Sequence, residues 1–209
     1  LDGIGNLPCN PSIGGTAKGH LVREIDALGG VMGIAADATY IQMKMLNSSR
    51  GPAVRALRAQ SDKREYIYFM RNLIESEQNI SIKQTMAVEL IVENGEVRGI
   101  VDEYGLQYLA PSVILTTGTS LCGRIFVGLQ STPAGRMGER AAVGLSDSLK
   151  AHGIEIKKLK TGTPARVDAR TIDYSKMDIQ PGDEELNFFS FEPNRPVRKQ
   201  YPCYLTRTT

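Results

Sequence analysis

Cys9-Asn10-Pro11-Ser12-Ile13-Gly14-Gly15, running on into Thr16-Ala17-Lys18, places two glycines directly before a helical pattern. Leu21, Val22, Ile25 and Leu28 repeat at helical spacing and Gly29-Gly30 supplies the stop, so a helix is expected to follow Thr16 as its N-cap. Glycine lets the backbone approach a ligand closely, and the free N–H groups at a helix start favour an anion or an electron-rich edge. Lys18 adds positive charge in the first turn, and Asn10-Pro11 fixes a turn that would aim the Cys9 thiol at the same place. Taken alone, the plainer reading is a loop-to-helix connection with a buried cysteine.

Outward from this stretch the pattern alternates. A short helix is expected over 32–38, and a half-buried strand over 41–45, where Ile41, Met43 and Met45 alternate with Gln42 and Lys44. Asn47 to Pro52 reads as a loop, and a long helix over 53–76 follows with Pro52 near its first turn. Strands are expected at 80–85 and 87–93, and Asn94-Gly95 is a type I′ hairpin signal that returns the chain through 97–101. A further strand at 106–109 completes a meander. A short buried strand at 112–115 then ends in Thr116-Thr117-Gly118-Thr119. A helix, a meander and a buried strand ending in Thr-Gly match the second half of an FAD-binding domain of the glutathione-reductase type.

After Gly123 glycine, proline and charged residues become frequent. The only clear helix there is 146–152, closed by Gly153, with a strand expected at 154–159. The expected organisation is α/β: a partial FAD-binding, Rossmann-like domain with a β-meander over 1–125, and a smaller β-rich insertion domain over 126–209. Leu1 is not an initiator methionine and Thr209 ends a β-type run, so the chain is expected to be part of a longer protein.

A hydrophobic content of 41% over 209 residues is enough for one large or two small domains. The net charge of +2 leaves any nucleic-acid contact to local patches. Three widely spaced cysteines form no disulfide framework, and with two histidines they offer no metal-ligand spacing, so reduced thiols, no metal and a cytoplasmic location are expected. No apolar run approaches a membrane span, and no signal peptide is evident.

Five ordered blocks make the sequence resemble the GidA/MnmG family, FAD-dependent enzymes that modify the wobble uridine of tRNA. They are Cys9 to Gly15 with Lys18 to Gly30; Asn47 with Arg50 to Ala56 and Arg58-Ala59-Gln60; Thr117-Gly118-Thr119 with Gly123-Arg124-Ile125; Leu159 to Pro164 with Arg166 and Asp168 to Asp173; and Pro202-Cys203-Tyr204 with Thr206 and Thr208. The resemblance covers nearly the whole chain. It implies FAD as cofactor, a reduced nicotinamide (NADH) as reductant and methylene-tetrahydrofolate as one-carbon donor. It further implies tRNA as substrate, a tRNA-modification GTPase as partner, and a homodimer for the intact protein.

The resemblance also carries residue roles. Cys9 and Cys203 match the two cysteines that the family places near the flavin, and a thiolate there would add to the uracil ring as a covalent catalyst. Cys122 has no family counterpart and reads as structural. Cofactor contacts are expected from Asn10, Pro11, Ser12, Gly14, Gly15 and Lys18, from Thr117, Gly118 and Thr119, and from backbone near Ala87 and Ala142. No Gly-x-Gly-x-x-Gly follows a strand, so the family's phosphate loop is expected before Leu1 and its nicotinamide segment beyond Thr209.

Candidate tRNA contacts are Arg50, Arg55 and Arg58, read as a loop and one face of the long helix, and Lys160, Arg166 and Arg170 beside Lys157 and Lys158. A solvated face, or FAD phosphate contact by the first group, is the plainer alternative. Two rival functions follow: a non-catalytic FAD- or tRNA-binding fragment, since a piece without the phosphate loop is expected to be inactive, and the related FAD- and folate-dependent tRNA methyltransferase. A disulfide reductase of similar fold would need a Cys-x4-Cys pair, which the sequence lacks.

Overall fold

The computed structural model describes residues 3–8 and 10–207. They form two compact units, Leu1–Ser81 with Gly162–Thr209, and Ile82–Thr161. This packing division does not coincide with the expected boundary after residue 125. The reason is long-range pairing: the segment after Gly162 returns to the first strands of the chain.

In the first unit, β1 (Ser12–Gly14) leads into α1 (Lys18–Ala27) and α2 (Met32–Thr39), followed by β2 (Tyr40–Leu46). A 3-10 turn at Pro52–Val54 precedes β3 (Ala56–Ser61) and α3 (Lys63–Ser76). The long helix expected over 53–76 is therefore a turn, a strand and a shorter helix. Ala56 to Ser61 contains mostly helix-favouring residues, yet it runs antiparallel between β1 and β2 in the order β1-β3-β2. Tertiary pairing on both edges outweighs the weak local preference. Asp62 then starts α3, accepting from the N–H groups of Arg64 and Glu65, a cap worth about 1 kcal/mol.

One face of this sheet meets the helices. Ile13, Val22, Ala35, Ala36, Tyr40, Met43, Leu57, Ala59, Tyr66 and Phe189 form one buried cluster. Phe189 comes from far along the chain, and burying its ring contributes about 2 kcal/mol.

The second unit is built on β4 (Ala87–Glu93), β5 (Glu96–Asp102) and β6 (Gln107–Leu109), an antiparallel meander in sequence order. Asn94 (φ 52°) and Gly95 (φ 79°) take the left-handed conformations that the Asn-Gly turn predicts. Asp102 is buried and holds the following turn, accepting from Tyr104 N, Leu106 N, Thr85 Oγ1 and Tyr108 Oη at 2.8–3.2 Å. The hairpin β7 (Arg124–Val127) and β8 (Gln130–Pro133) and the helix α4 (Leu145–Ala151) complete it. The strands expected at 80–85, 112–115 and 154–159 are absent among the described residues. Ile114 is 88% exposed, so the apolar run read as a buried strand is not buried.

The returning segment belongs to the first unit. It carries β9 (Asp178–Gln180) and β10 (Cys203–Leu205), an antiparallel pair, so its strand content is thinner than expected. It also covers the free edge of β2. Asp183 N donates to Met43 O, Tyr201 N donates to Ile41 O, and Met43 N donates to Gln200 Oε1 at 2.7 Å. An edge that would stay unpaired is satisfied by loop backbone and side chains.

Candidate functional site

The glycine turn is held from below by β3. Gly15 N donates to Leu57 O at 2.8 Å and Gly19 N to Gly15 O at 2.7 Å. A Cβ on Gly14 (φ 87°) would fall 2.3 Å from Leu57 O and 2.5 Å from Phe189 Cζ, so only glycine fits. Gly15 (φ 98°) is buried, but a Cβ there would meet only Leu46 Cδ1, at 4.0 Å. Pro11 O accepts from Ser61 N at 2.7 Å and Asn10 O from Ser12 N at 2.7 Å, which fixes the entry to β1. Cys9 lies outside the described residues.

Thr16 is not the N-cap that the sequence predicts. Ala17 (φ 63°) occupies that position without a side-chain cap, and Thr16 Oγ1 accepts instead from Asn47 Nδ2 at 3.2 Å. Asn47 Nδ2 also donates to Val54 O at 3.0 Å, and Arg55 Nε donates to Arg50 O at 2.9 Å. One loop thus brings Arg50 and Arg55, both exposed, to the start of α1 where Lys18 is exposed. Asn47, which the sequence reading gave no role, is the residue that ties them together. Its place in the second sequence block, beside Arg50 and Arg55, was the signal that could have found it.

Arg58 also departs from expectation. It lies in β3, not on a helix, and its register partners are Gly14 on one side and Lys44 on the other. Arg58 Nη2 donates to Gln180 Oε1 at 3.4 Å, while its Nε is buried with no partner among the described residues. Gln180 is the register partner of Cys203, whose thiol is free and half-buried. Gln42 Nε2 binds both Gln180 O (2.9 Å) and Tyr201 O (3.2 Å), anchoring the β9–β10 pair over β2. The first and last sequence blocks therefore meet in one unit, with Gly14, Arg58, Gln180 and Cys203 as links.

In the second unit the other expected contacts also gather. Ala142 N donates to Ser120 O and Cys122 N to Ala142 O, both at 2.8 Å, while Ser120 N closes a turn on Thr117 O. Thr119 Oγ1 donates to Gly135 O at 2.7 Å, and Gly118 (φ 55°) has open space where a Cβ would sit. A Cβ on Gly144 would lie 3.0 Å from Val88 O, which brings Ala87 and its strand alongside Ala142. Cys122 is exposed and accepts from Ser146 Oγ at 3.3 Å, a structural contact.

The residues of the second basic cluster are exposed, and Lys157 and Arg170 are paired with carboxylates. Lys160 belongs to one unit and Arg166 and Arg170 to the other, all exposed. Arg170 pairs with Asp168 at 2.6 Å, and that guanidinium holds the Asp168 carboxyl below its ordinary range. Lys157 pairs with Glu155 at 3.2 Å. Among the described residues no group of His, Cys, Asp and Glu could hold a metal, and no helix is long and apolar enough to cross a membrane.

These features define an α/β protein with a glycine turn at a helix start, a basic loop beside it and a free thiol on a strand of the returning segment. Residues 1–209 match the family described as Glucose inhibited division protein A (GIDA), and the chain belongs to that family. The tRNA uridine 5-carboxymethylaminomethyl modification enzyme MnmG of Synechocystis sp. is 53% identical over 211 residues, covering 100% of this chain and 33% of that protein. The protein of the same name from Bacillus subtilis is 50% identical over 209 residues, with the same shares. The structure of Aquifex aeolicus GidA superposes with a TM-score of 0.90 at 46% identity, covering 97% of this chain and 35% of that one. The chain thus spans about a third of the length of the curated relatives it matches.

Proposed function

We propose that this chain is part of a flavoenzyme that, with a partner GTPase, installs an aminomethyl or carboxymethylaminomethyl group at C5 of the tRNA wobble uridine. Family membership over all 209 residues is the observation that carries this reading. The intact protein would use FAD, NADH and methylene-tetrahydrofolate, act as a homodimer in the cytoplasm, and bind tRNA. The 209-residue chain alone is expected to be inactive.

The residues suit a dinucleotide in one testable respect: Gly118 is exposed and has positive φ, so a ligand can approach the backbone closely there. Asn10, Pro11, Ser12, Gly14, Gly15 and Lys18, together with Ala87, Thr117, Gly118, Thr119 and Ala142, are the residues that would contact the cofactor. When bound, FAD would supply the electron transfer. Arg50, Arg55 and Arg58, with Lys160, Arg166 and Arg170, would meet tRNA phosphates. The thiolate of Cys9 or Cys203 would add to the uracil ring, making C5 nucleophilic. After the new C–C bond forms, C5 loses its proton and the sulfur leaves.

The test uses the full-length protein. It should purify with a flavin absorption band, and Cys9→Ala or Cys203→Ala should abolish tRNA modification while leaving the band. A colourless protein that takes up no FAD would sink the flavoenzyme reading. Unchanged modification in both variants would sink the thiol roles.

A further inference from the structure

We propose that residues 188–190 are a strap, clamped by Asp37, that seats Phe189 on Gly14 and so sets the conformation of the Gly14–Gly15 turn, making Asp37 and Phe189 positioning residues for the ligand that docks at the start of α1. The identity of that ligand as a flavin rests on the function proposed above; the strap itself does not.

The clamp joins distant parts of the chain. Phe189 N donates to Asp37 Oδ1 at 2.9 Å and Ser190 N to Asp37 Oδ2 at 2.8 Å, across more than 150 residues of sequence. Asp37, Phe189 and Ser190 are all buried, so these donors have no water to fall back on. The strap is flanked by weaker, exposed ties. Arg23 Nη2 donates to Phe188 O at 2.7 Å, and Phe191 N donates to Asp26 Oδ2 at 2.8 Å. Removing either exposed tie lets water replace it, whereas removing Asp37 leaves two buried N–H groups unpaired.

The strap's effect falls on the glycine turn. The Phe189 ring and Leu57 O both occupy the space that any side chain at position 14 would need. Gly14 is therefore packed against both β3 and the ring, and Gly15 is tied to β3 through Leu57 O. A residue pair with φ of 87° and 98° has no side chains of its own to hold that conformation, so the ring against Gly14 adds to the Gly15 N–Leu57 O bond in holding it. A carboxylate buried against backbone N–H groups is a costly way to anchor an aromatic ring. It does fix the height and angle of the strap in a way that apolar packing alone does not.

Amide hydrogen exchange on the full-length protein tests this, with FAD affinity measured alongside. In Asp37→Asn, exchange at Phe189 and Ser190 should rise at least about tenfold and that in residues 14–20 should rise with it, while residues 40–46 of the same core stay unchanged. Phe189→Leu keeps the clamp but removes the ring, so residues 14–20 should respond with Ser190 still protected; this variant decides the matter if Asp37→Asn does not fold. Both variants should weaken FAD binding at least about tenfold. Opening at 189–190 with residues 14–20 unchanged overturns the proposal. So does a uniform rise through 14–20, 40–46 and 56–61, which marks a merely structural role. If the parent protein binds no FAD, the flavin reading falls and the exchange comparison still decides the strap.

Discussion

Arg58 Nη2 donates to Gln180 Oε1 at 3.4 Å, and this one contact links the strand opposite Gly14 to the strand partner of Cys203. The bond is long, and the Nε of the same guanidinium is buried without a partner among the described residues. A cation so poorly satisfied adds little to the fold. Arg58→Met should therefore change the unfolding free energy of the full-length protein by no more than about 1 kcal/mol. Its affinity for tRNA or for FAD should nevertheless fall at least about tenfold. Equal losses in stability and binding would make Arg58 a structural residue.

Gly14 and Gly29 both have positive φ, at 87° and 85°, but only Gly14 is enclosed. Gly14→Ala should cost about 2–4 kcal/mol, combining backbone strain with overlap on Leu57 O and Phe189. Gly29→Ala, with nothing within 4 Å of the added carbon, should cost about 1 kcal/mol. Urea titration of the two variants measures the difference, and equal costs would contradict the enclosure.

Burial pushes Asp37 up from 3.8 to about 6, against the opposing pull of the Phe189 and Ser190 N–H groups and of Arg195, with Asp26 adding to the rise. The folded protein thus holds this proton more tightly than the unfolded chain. The stabilisation is complete below about pH 4 and is lost as pH rises through about 6. Across that window the stability of the parent relative to Asp37→Asn should fall by about 3 kcal/mol. Denaturant midpoints at pH 4, 5 and 6.5 for both proteins provide the check, and a constant gap would place the Asp37 titration elsewhere.

Asp102 should behave with the opposite sign. Desolvation raises its pKa, but the bonds from Leu106 N, Thr85 Oγ1, Tyr104 N and Tyr108 Oη outweigh it and hold the carboxyl below its ordinary range. Its contribution is present above the unfolded pKa and is lost as pH falls through the folded one. Asp102→Ala should lower the thermal midpoint by several degrees at pH 7 and by less at pH 3. The same variant should raise exchange along β4–β6, and an unchanged meander would show that the turn closes without it.

Much of this protein was legible in local sequence. Asn94-Gly95 dictates a turn that only left-handed residues make, and the strands on either side follow from alternation. Gly14-Gly15 before a periodic apolar run announces a helix start, and five ordered blocks identify the family. Asp62 was a local signal too, a capping residue that marks where α3 begins, and reading the helix back to residue 53 overlooked it.

What tertiary structure decided is where pairing overrides propensity. Ala56 to Ser61 is a strand because β1 and β2 offer it two edges, a fact that no local window contains. Arg58 therefore faces Gln180 rather than sharing a helix face with Arg55, and the packing units ignore the expected boundary at 125. Phe189 and Asp37 meet across 152 residues of sequence because backbone N–H groups entering a core need an acceptor there. The sequence alone determined the family, the turns and most helices; only long-range pairing and burial brought Gly14, Arg58 and Cys203 to one place.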